Sequence, residues 1–325
     1  MSNIIYANGR VSTKINSLVG TERLNRMIET DSPEDAFKIL SETGFGGDLS
    51  AGVVCFEKSL SYELAQLDSF IRDVCPSENL KRFLLYKNDF HNAEALIKCK
   101  FLKTDEKSLL VQDGVFRAAE MKERIFSDDY KYFPLNMALA FAECDEKFVS
   151  GSADGVFVNN AIEKAYFADL YETAKKQPLL LKLYKVKADC ANIQIALRCR
   201  DYNAAEKFFV KNGVICDDDL KVLCVETFDV IREKFRFSEY KEILGLAVDA
   251  AERGKPFSEF EKAADDFPLK ILLEKKYSSE GYLPFATYCY YKLAEIKNVR
   301  IILVGLLNGE SKTAIKNRLR LTYEG

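Results

Sequence analysis

Asp89-Phe90-His91-Asn92-Ala93-Glu94-Ala95-Leu96-Ile97-Lys98-Cys99-Lys100 returns 100 residues later as Asp189-Cys190-Ala191-Asn192-Ile193-Gln194-Ile195-Ala196-Leu197-Arg198-Cys199-Arg200. The acid, the Asn, the aliphatic run, the first cation, the Cys and the second cation all coincide. An acid and an Asn three positions apart share one helical face. Apolar residues surround them, so the stretch reads as a helix buried nearly all round with one polar pair satisfied inside it. A shorter echo follows at nearly the same offset, Asp113-Gly114-Val115-Phe116 against Asn212-Gly213-Val214-Ile215. A third copy, Glu295-Ile296-Lys297-Asn298-Val299-Arg300-Ile301-Ile302-Leu303, keeps the acid, the Asn and the apolar run. There Val304 stands at the Lys98 position and Arg300 carries a cation earlier. Copies spaced by 100 and 106 residues lie outside the period of about 20–50 typical of solenoids. They point to three related helical modules, residues 1–115, 116–214 and 215–325.

Elsewhere, and running on into the second copy, the signals are again helical. Asp31-Ser32-Pro33-Glu34-Asp35 is a helix start: a capping residue, proline in the first turn, then acids where the helix dipole favours them. Ala36, Phe37 and Leu40 face one way, and Gly44 is placed to end that helix. Val158, Ala161, Ile162, Ala165 and Tyr166 recur at three-and-four spacing, as do Leu180, Leu183, Tyr184, Ala188, Ala191 and Ile195. Period-2 alternation bounded by hairpin turns is hard to find, and seven Pro and sixteen Gly are few for the length. The fold class expected is all-α, with loops near Gly44–Gly52, Ser150–Gly155 and Arg253–Pro256.

The 325 residues suggest two or three domains, at roughly 100–200 residues each. The lone histidine, His91, excludes any single-chain site that needs two imidazoles. A net charge of −3 argues against nucleic-acid binding by overall charge. The nine cysteines are scattered without a CxxC pair, which reads as small buried thiols in a reducing compartment. Met1 to Gly20 lacks the pattern of a signal peptide. No uncharged apolar run approaches the ~18–20 residues that a bilayer span needs, so the chain reads as soluble with no direct membrane span.

The remaining motifs resist chemical readings. In the glycine cluster Gly44-Phe45-Gly46-Gly47-Asp48-Leu49-Ser50-Ala51-Gly52, Leu49 occupies the place of the third glycine of a dinucleotide fingerprint, and no Gly-Lys-Ser/Thr follows. Asp217, Asp218 and Asp219 lack the alternating ligands of a calcium loop and suit the first turn of a helix. His91 corresponds to Ala191 in the second copy, so a catalytic role is not expected of it. No catalytic, cofactor-binding or metal-ligating residue is assigned, and no cofactor. The repeat signature (Asp89, Asn92, Lys98; Asp189, Asn192, Arg198; Glu295, Asn298, Arg300) is expected to build the modules, because a module-building motif recurs in every module and a catalytic one need not. Lys312, Lys316, Arg318 and Arg320 form a basic stretch with two readings: a solvated last helix complementing its own dipole, or a contact for an acidic partner surface.

Taken together, the chain resembles the C subunit of V-type and archaeal-type ATP synthases, the family of the eukaryotic V-ATPase d subunit. The resemblance rests on Tyr6-Ala7-Asn8-Gly9-Arg10-Val11, on Leu85-Tyr86-Lys87-Asn88-Asp89-Phe90-His91-Asn92, and on the second repeat copy with the following Phe208-Phe209-Val210-Lys211-Asn212-Gly213. It is strongest in Pro284-Phe285-Ala286-Thr287-Tyr288-Cys289-Tyr290-Tyr291-Lys292-Leu293-Ala294-Glu295-Ile296-Lys297-Asn298-Val299-Arg300-Ile301-Ile302. It spans essentially the whole chain, with Ala294 where the family pattern carries a second acid beside Glu295. It implies a funnel-shaped, non-catalytic central-rotor component on the cytoplasmic side of a membrane. Such a socket seats the central-stalk shaft, rests on the membrane proteolipid ring and couples ATP turnover to H+ or Na+ transport. The competing expectations are a helical scaffold for another complex and a small-molecule enzyme with carboxylates in an inter-module cleft.

Overall fold

The computed structural model describes residues 2–47, 52–102, 109–111, 114–152, 154–274 and 281–323. Every regular element among them is helical. The first stretch carries α1 (Ser2–Ile15), α2 (Gly20–Glu29), α3 (Pro33–Ser41) and α4 (Phe56–Val74). The middle carries α5 (Glu78–Leu102), α6 (Ala118–Phe126), α7 (Leu135–Val149), α8 (Gly155–Ala174), α9 (Pro178–Cys199), α10 (Tyr202–Ala205), α11 (Asp217–Val225), α12 (Phe228–Lys234) and α13 (Lys241–Glu252). Then come α14 (Ser258–Leu273), α15 (Leu283–Leu307) and α16 (Lys312–Arg318).

Local chemistry accounts for many of the boundaries. Ser32 caps α3 by accepting from the Asp35 N–H at 3.1 Å, with Pro33 in the first turn. Beyond its end, Gly44 takes φ +71°, a left-handed conformation that glycine adopts without Cβ strain. Asp154 caps α8 through the Phe157 N–H at 2.8 Å. Asp217, Asp218 and Asp219 fill the first turn of α11, above the buried Leu220, Leu223 and Cys224. The glycine-rich stretch turns away from α3, but Asp48 to Ala51 lie outside the described residues, as do Asp113 of the shorter echo and Ala153 of the second expected loop.

The chain forms two compact units. One joins Met1–Ser77 to Ser258–Gly325, and the other is Glu78–Phe257. In the first, α15 is the hub and packs against α1, α2, α3, α4, α14 and α16. Its sequence explains that position: apolar residues cover nearly every face, and even Lys292, Glu295 and Asn298 are buried. Leu24, Met27, Leu40, Leu60, Ile302 and Leu303 belong to the core around it. In the second unit, α8 packs against α5, α7 and α9, while α9 also meets α10, α11 and α13. The sequence repeat is a different partition of the chain, with two copies in the second unit (on α5 and α9) and the third on α15 of the first. No helix among the described residues is long and apolar enough to cross a membrane.

Candidate functional site

The repeat signature resolves into a backbone clamp, best seen on α9. Asn192 is 1% exposed and treats one residue as a neighbouring strand would. Its Oδ1 accepts the Val210 N–H at 2.7 Å, and its Nδ2 donates to the Val210 carbonyl at 2.8 Å. A carboxamide can do this because it carries a donor and an acceptor side by side. Asp189, fully buried one turn earlier, is acceptor-only when ionised and takes N–H and O–H donors alone. It accepts Val214 N–H at 2.9 Å, Ile215 N–H at 3.0 Å and the Tyr240 hydroxyl at 2.6 Å. Burial pushes the Asp189 carboxyl above the usual range, and these three donors pull the other way. Tyr184 completes the grip by donating its hydroxyl to the Lys211 carbonyl at 2.7 Å. Together they hold a strap, residues 210–215, against the helix.

The first copy repeats the arrangement on α5. Asn92 Oδ1 accepts the Val111 N–H at 2.9 Å, and Asp89 accepts Val115 at 2.9 Å and Phe116 at 3.0 Å. The shorter sequence echo is therefore the strap segment that the acid holds. Its glycine has a steric cause: a Cβ on Gly114 would sit 2.2 Å from Asp89 Oδ1, and one on Gly213 would sit 2.1 Å from Asp189 Oδ1.

The third copy, on α15, divides the work differently. Asn298 accepts the Arg320 N–H at 2.7 Å and donates to the Arg320 carbonyl at 3.0 Å. The neighbouring amide, Leu321 N–H, goes to Asp266 of α14 at 2.8 Å. Glu295 faces elsewhere, accepting from the Val19 N–H and from Lys292 Nζ, the latter at 2.8 Å. Lys292 also reaches Glu63 at 2.8 Å, and Glu63 accepts the Gly46 N–H at 2.7 Å. These three charged side chains are at most 10% exposed. The Lys292 ammonium also lies 4.6 Å from the Phe45 ring centroid.

The signature cations make contacts of their own. Lys98 pairs with Glu94 one turn back at 2.6 Å, Arg198 lies over the Phe257 ring at 5.2 Å, and Arg300 pairs with Glu57 at 2.7 Å. In the basic stretch, Lys312 and Lys316 meet Glu29 at 3.7 and 2.6 Å, Arg318 meets Glu310 at 2.8 Å, and Arg320 meets Asp265 at 2.8 Å. The Lys316 contact holds the Glu29 carboxyl below its usual range. His91 is exposed, with Nε2 3.1 Å from the Leu109 carbonyl. All nine cysteines are free thiols, five of them buried, and the paired positions differ, Cys99 being buried and Cys199 exposed.

A second set of acids escaped the sequence reading. Asp169 on α8 is 4% exposed and accepts the Asn136 side chain at 2.7 Å and the Met137 N–H at 3.0 Å, at the start of α7. Asp68, Asp169 and Asp266 are all buried, and each lies on the helix before a signature helix. Among 50 acids the only available sign was their spacing of 101 and 97 residues, close to that of the repeat.

The family model described as ATP synthase (C/AC39) subunit matches residues 7–318. This chain belongs to that family. Among its relatives, the C subunit of the V-type sodium ATPase of Enterococcus hirae is 21% identical, over 94% of this chain and 95% of its own length. The C subunit of the A-type ATP synthase of Methanocaldococcus jannaschii is 24% identical, over 97% of this chain and 85% of its own. The C subunit of the V-type ATP synthase of Thermus thermophilus is 24% identical, over 65% of this chain and 68% of its own. In this member of the C/AC39 family the three clamps lie within the matched span at Asp89 to Asn298, while the third strap runs just past its last residue.

Proposed function

We propose that this chain is a non-catalytic central-rotor component of a V/A-type rotary ATPase. It acts as a socket that seats the central-stalk shaft and rests on the membrane proteolipid ring, peripheral to the membrane on the cytoplasmic side. Through it, ATP turnover is coupled to H+ or Na+ transport. The observation that carries the reading is the family match over residues 7–318, with two relatives named as C subunits aligned over 94% and 97% of this chain. The physical chemistry supports it: a part that passes torque needs walls that keep their shape under load. Long helices buried on most faces, with straps pinned by buried carboxamides and carboxylates, resist deformation because close-packed interiors transmit strain. The same signature residues are thus assigned to building the modules and not to a reaction. Lys312, Lys316 and Arg318 are proposed to exchange their in-chain acids for those of a partner, because their side chains are 42–48% exposed and exposed pairs hold weakly.

The test is co-purification from detergent-solubilised membranes with tagged protein. Proteolipid and central-stalk proteins are expected in stoichiometric yield, and recovery of neither would overturn the reading. A Lys312→Glu, Lys316→Glu variant is expected to stay folded and to lose complex yield; undiminished yield would remove the partner role of these residues.

A further inference from the structure

The start of the second strap and the turn before it line a cavity of about 440 Å³ within the second unit. Residues 206–212 supply one part of the lining, α8 supplies another, and α9 contributes Tyr184. The volume falls in the range of about 300–1,000 Å³ usual for small-molecule sites. Its apolar lining is aromatic: Phe167, Tyr184 and Phe209 are buried, and Phe208 is half-buried. The shape is set before any ligand arrives, because Asn192 grips both main-chain groups of Val210 and Tyr184 donates to the Lys211 carbonyl. A pre-formed pocket spares the ordering cost of binding. Three ammonium groups line it, those of Lys164, Lys207 and Lys211, against the two carboxylates of Glu163 and Glu206. Lys211 meets Asp217 only loosely, at 3.6 Å. Lys207 lies 5.1 Å from the Phe208 ring centroid. Among the described residues, neither Lys164 nor Lys207 pairs with a carboxylate. A planar ring stacks well on an aromatic surface. A negative group on that ring gains charge-assisted hydrogen bonds from ammonium groups that have no acid to give up.

We propose that this cavity is a binding site for a small planar aromatic anion of the aryl carboxylate class. The ring stacks among Phe167, Phe208 and Phe209, and the carboxylate meets Lys164 and Lys207. Because residues 206–212 form part of the lining, a bound ligand ties α8 to the strap that α9 holds. The site lies wholly within the second unit and stands whether or not the rotor reading holds.

The test is isothermal titration calorimetry of the full-length chain with naphthoate, naphthylmethanol and naphthylmethylammonium, which share a ring system and differ in charge. Naphthoate is expected to bind saturably at one site. The neutral and cationic probes are expected to bind at least about tenfold more weakly, the worth of one hydrogen bond to a charged group. Lys164→Gln combined with Lys207→Gln is expected to weaken naphthoate at least about tenfold and to leave naphthylmethanol unchanged. Absence of naphthoate binding, equal binding of the three probes, or undiminished naphthoate binding by the double variant would overturn the proposal. Should circular dichroism show the double variant unfolded, Lys164→Gln alone decides, since Lys164 is exposed. Its naphthoate affinity is expected to fall, and an unchanged affinity would overturn the proposal.

Discussion

At Gly213 a single hydrogen atom does what no other side chain can. The Val214 and Ile215 amides reach Asp189 only because the backbone passes so close that a Cβ would lie 2.1 Å from Oδ1. Gly213→Ala is therefore expected to cost about 1–3 kcal/mol, as overpacking of a tight site does. The matched control is Gly245→Ala on α13, where a new Cβ meets nothing within 4 Å. That change is expected to be neutral or to stabilise by about 0.5–1 kcal/mol, by helix propensity alone. Urea midpoints of the two variants check both, and equal shifts would remove the close-approach argument. Asn192→Leu attacks the same strap from the helix side and strands both Val210 groups, with an expected loss of about 1–3 kcal/mol. A thermal melt superimposable on wild type would show that the strap is not held there.

At the level of the element, α15 shows what a repeated motif keeps and what it trades. Its Asn retains the strap-holding role, but Glu295 accepts one backbone N–H and one ammonium where Asp189 accepts backbone N–H groups and a hydroxyl. Lys292 then lies between two carboxylates with almost no solvent, so removing it alone leaves acids that burial penalises. Lys292→Met is expected to destabilise by about 3–5 kcal/mol, and adding Glu63→Gln and Glu295→Gln to recover most of that; thermal melts of the two variants check this. Burial opposes the Lys292 charge, yet Glu295 and Glu63 outweigh it and raise its pKa above the ordinary 10.5. The folded chain thus holds this proton more tightly than the unfolded chain. The stabilisation is complete below pH 10.5 and declines as pH rises through the raised folded value. A melting-temperature profile of wild type minus Lys292→Met should fall as pH rises through that alkaline window, and should also shrink toward acid pH, where protonation of Glu295, whose pKa burial raises and Lys292 lowers, relieves the variant; a difference that does not change with pH would refute the linkage. The spacing of acid and Asn exposed the clamp helices in the sequence, and the Gly-Val echo exposed two of their straps. What it could not expose was partnership across distant segments, such as Val19 with Glu295 or Glu63 with Lys292. The cations carry less: Lys98 meets Glu94 one turn back, whereas Arg198 and Arg300 meet Phe257 and Glu57 from distant parts of the chain. A long cation at a helix edge finds some acid or ring wherever it lies, so its recurrence carries little structural information.

For the molecule as a whole, the decisive fact is that one compact unit is continuous in the chain and the other is not. Glu78–Phe257 contains two complete clamps with both of their straps, and the backbone amides that Asp89 and Asp189 accept all lie inside it. A continuous unit of this size buries enough surface to fold without help. Excised, it is expected to be helical and monomeric and to melt cooperatively. The other unit depends on two segments far apart in sequence, because α15 buries its faces against α1, α2, α3 and α4 as well as α14 and α16. Residues 258–325 alone would leave that largely apolar helix uncovered, and large exposed apolar surfaces drive association. That piece is expected to be insoluble when expressed by itself, and to become soluble and helical when co-expressed with residues 1–77. Circular dichroism melts of the excised middle and co-purification of the two outer pieces check the pair of expectations. A non-cooperative melt of 78–257 would mean that its clamps need the first unit, and a soluble, folded 258–325 would mean that α15 does not need the N-terminal helices to cover it.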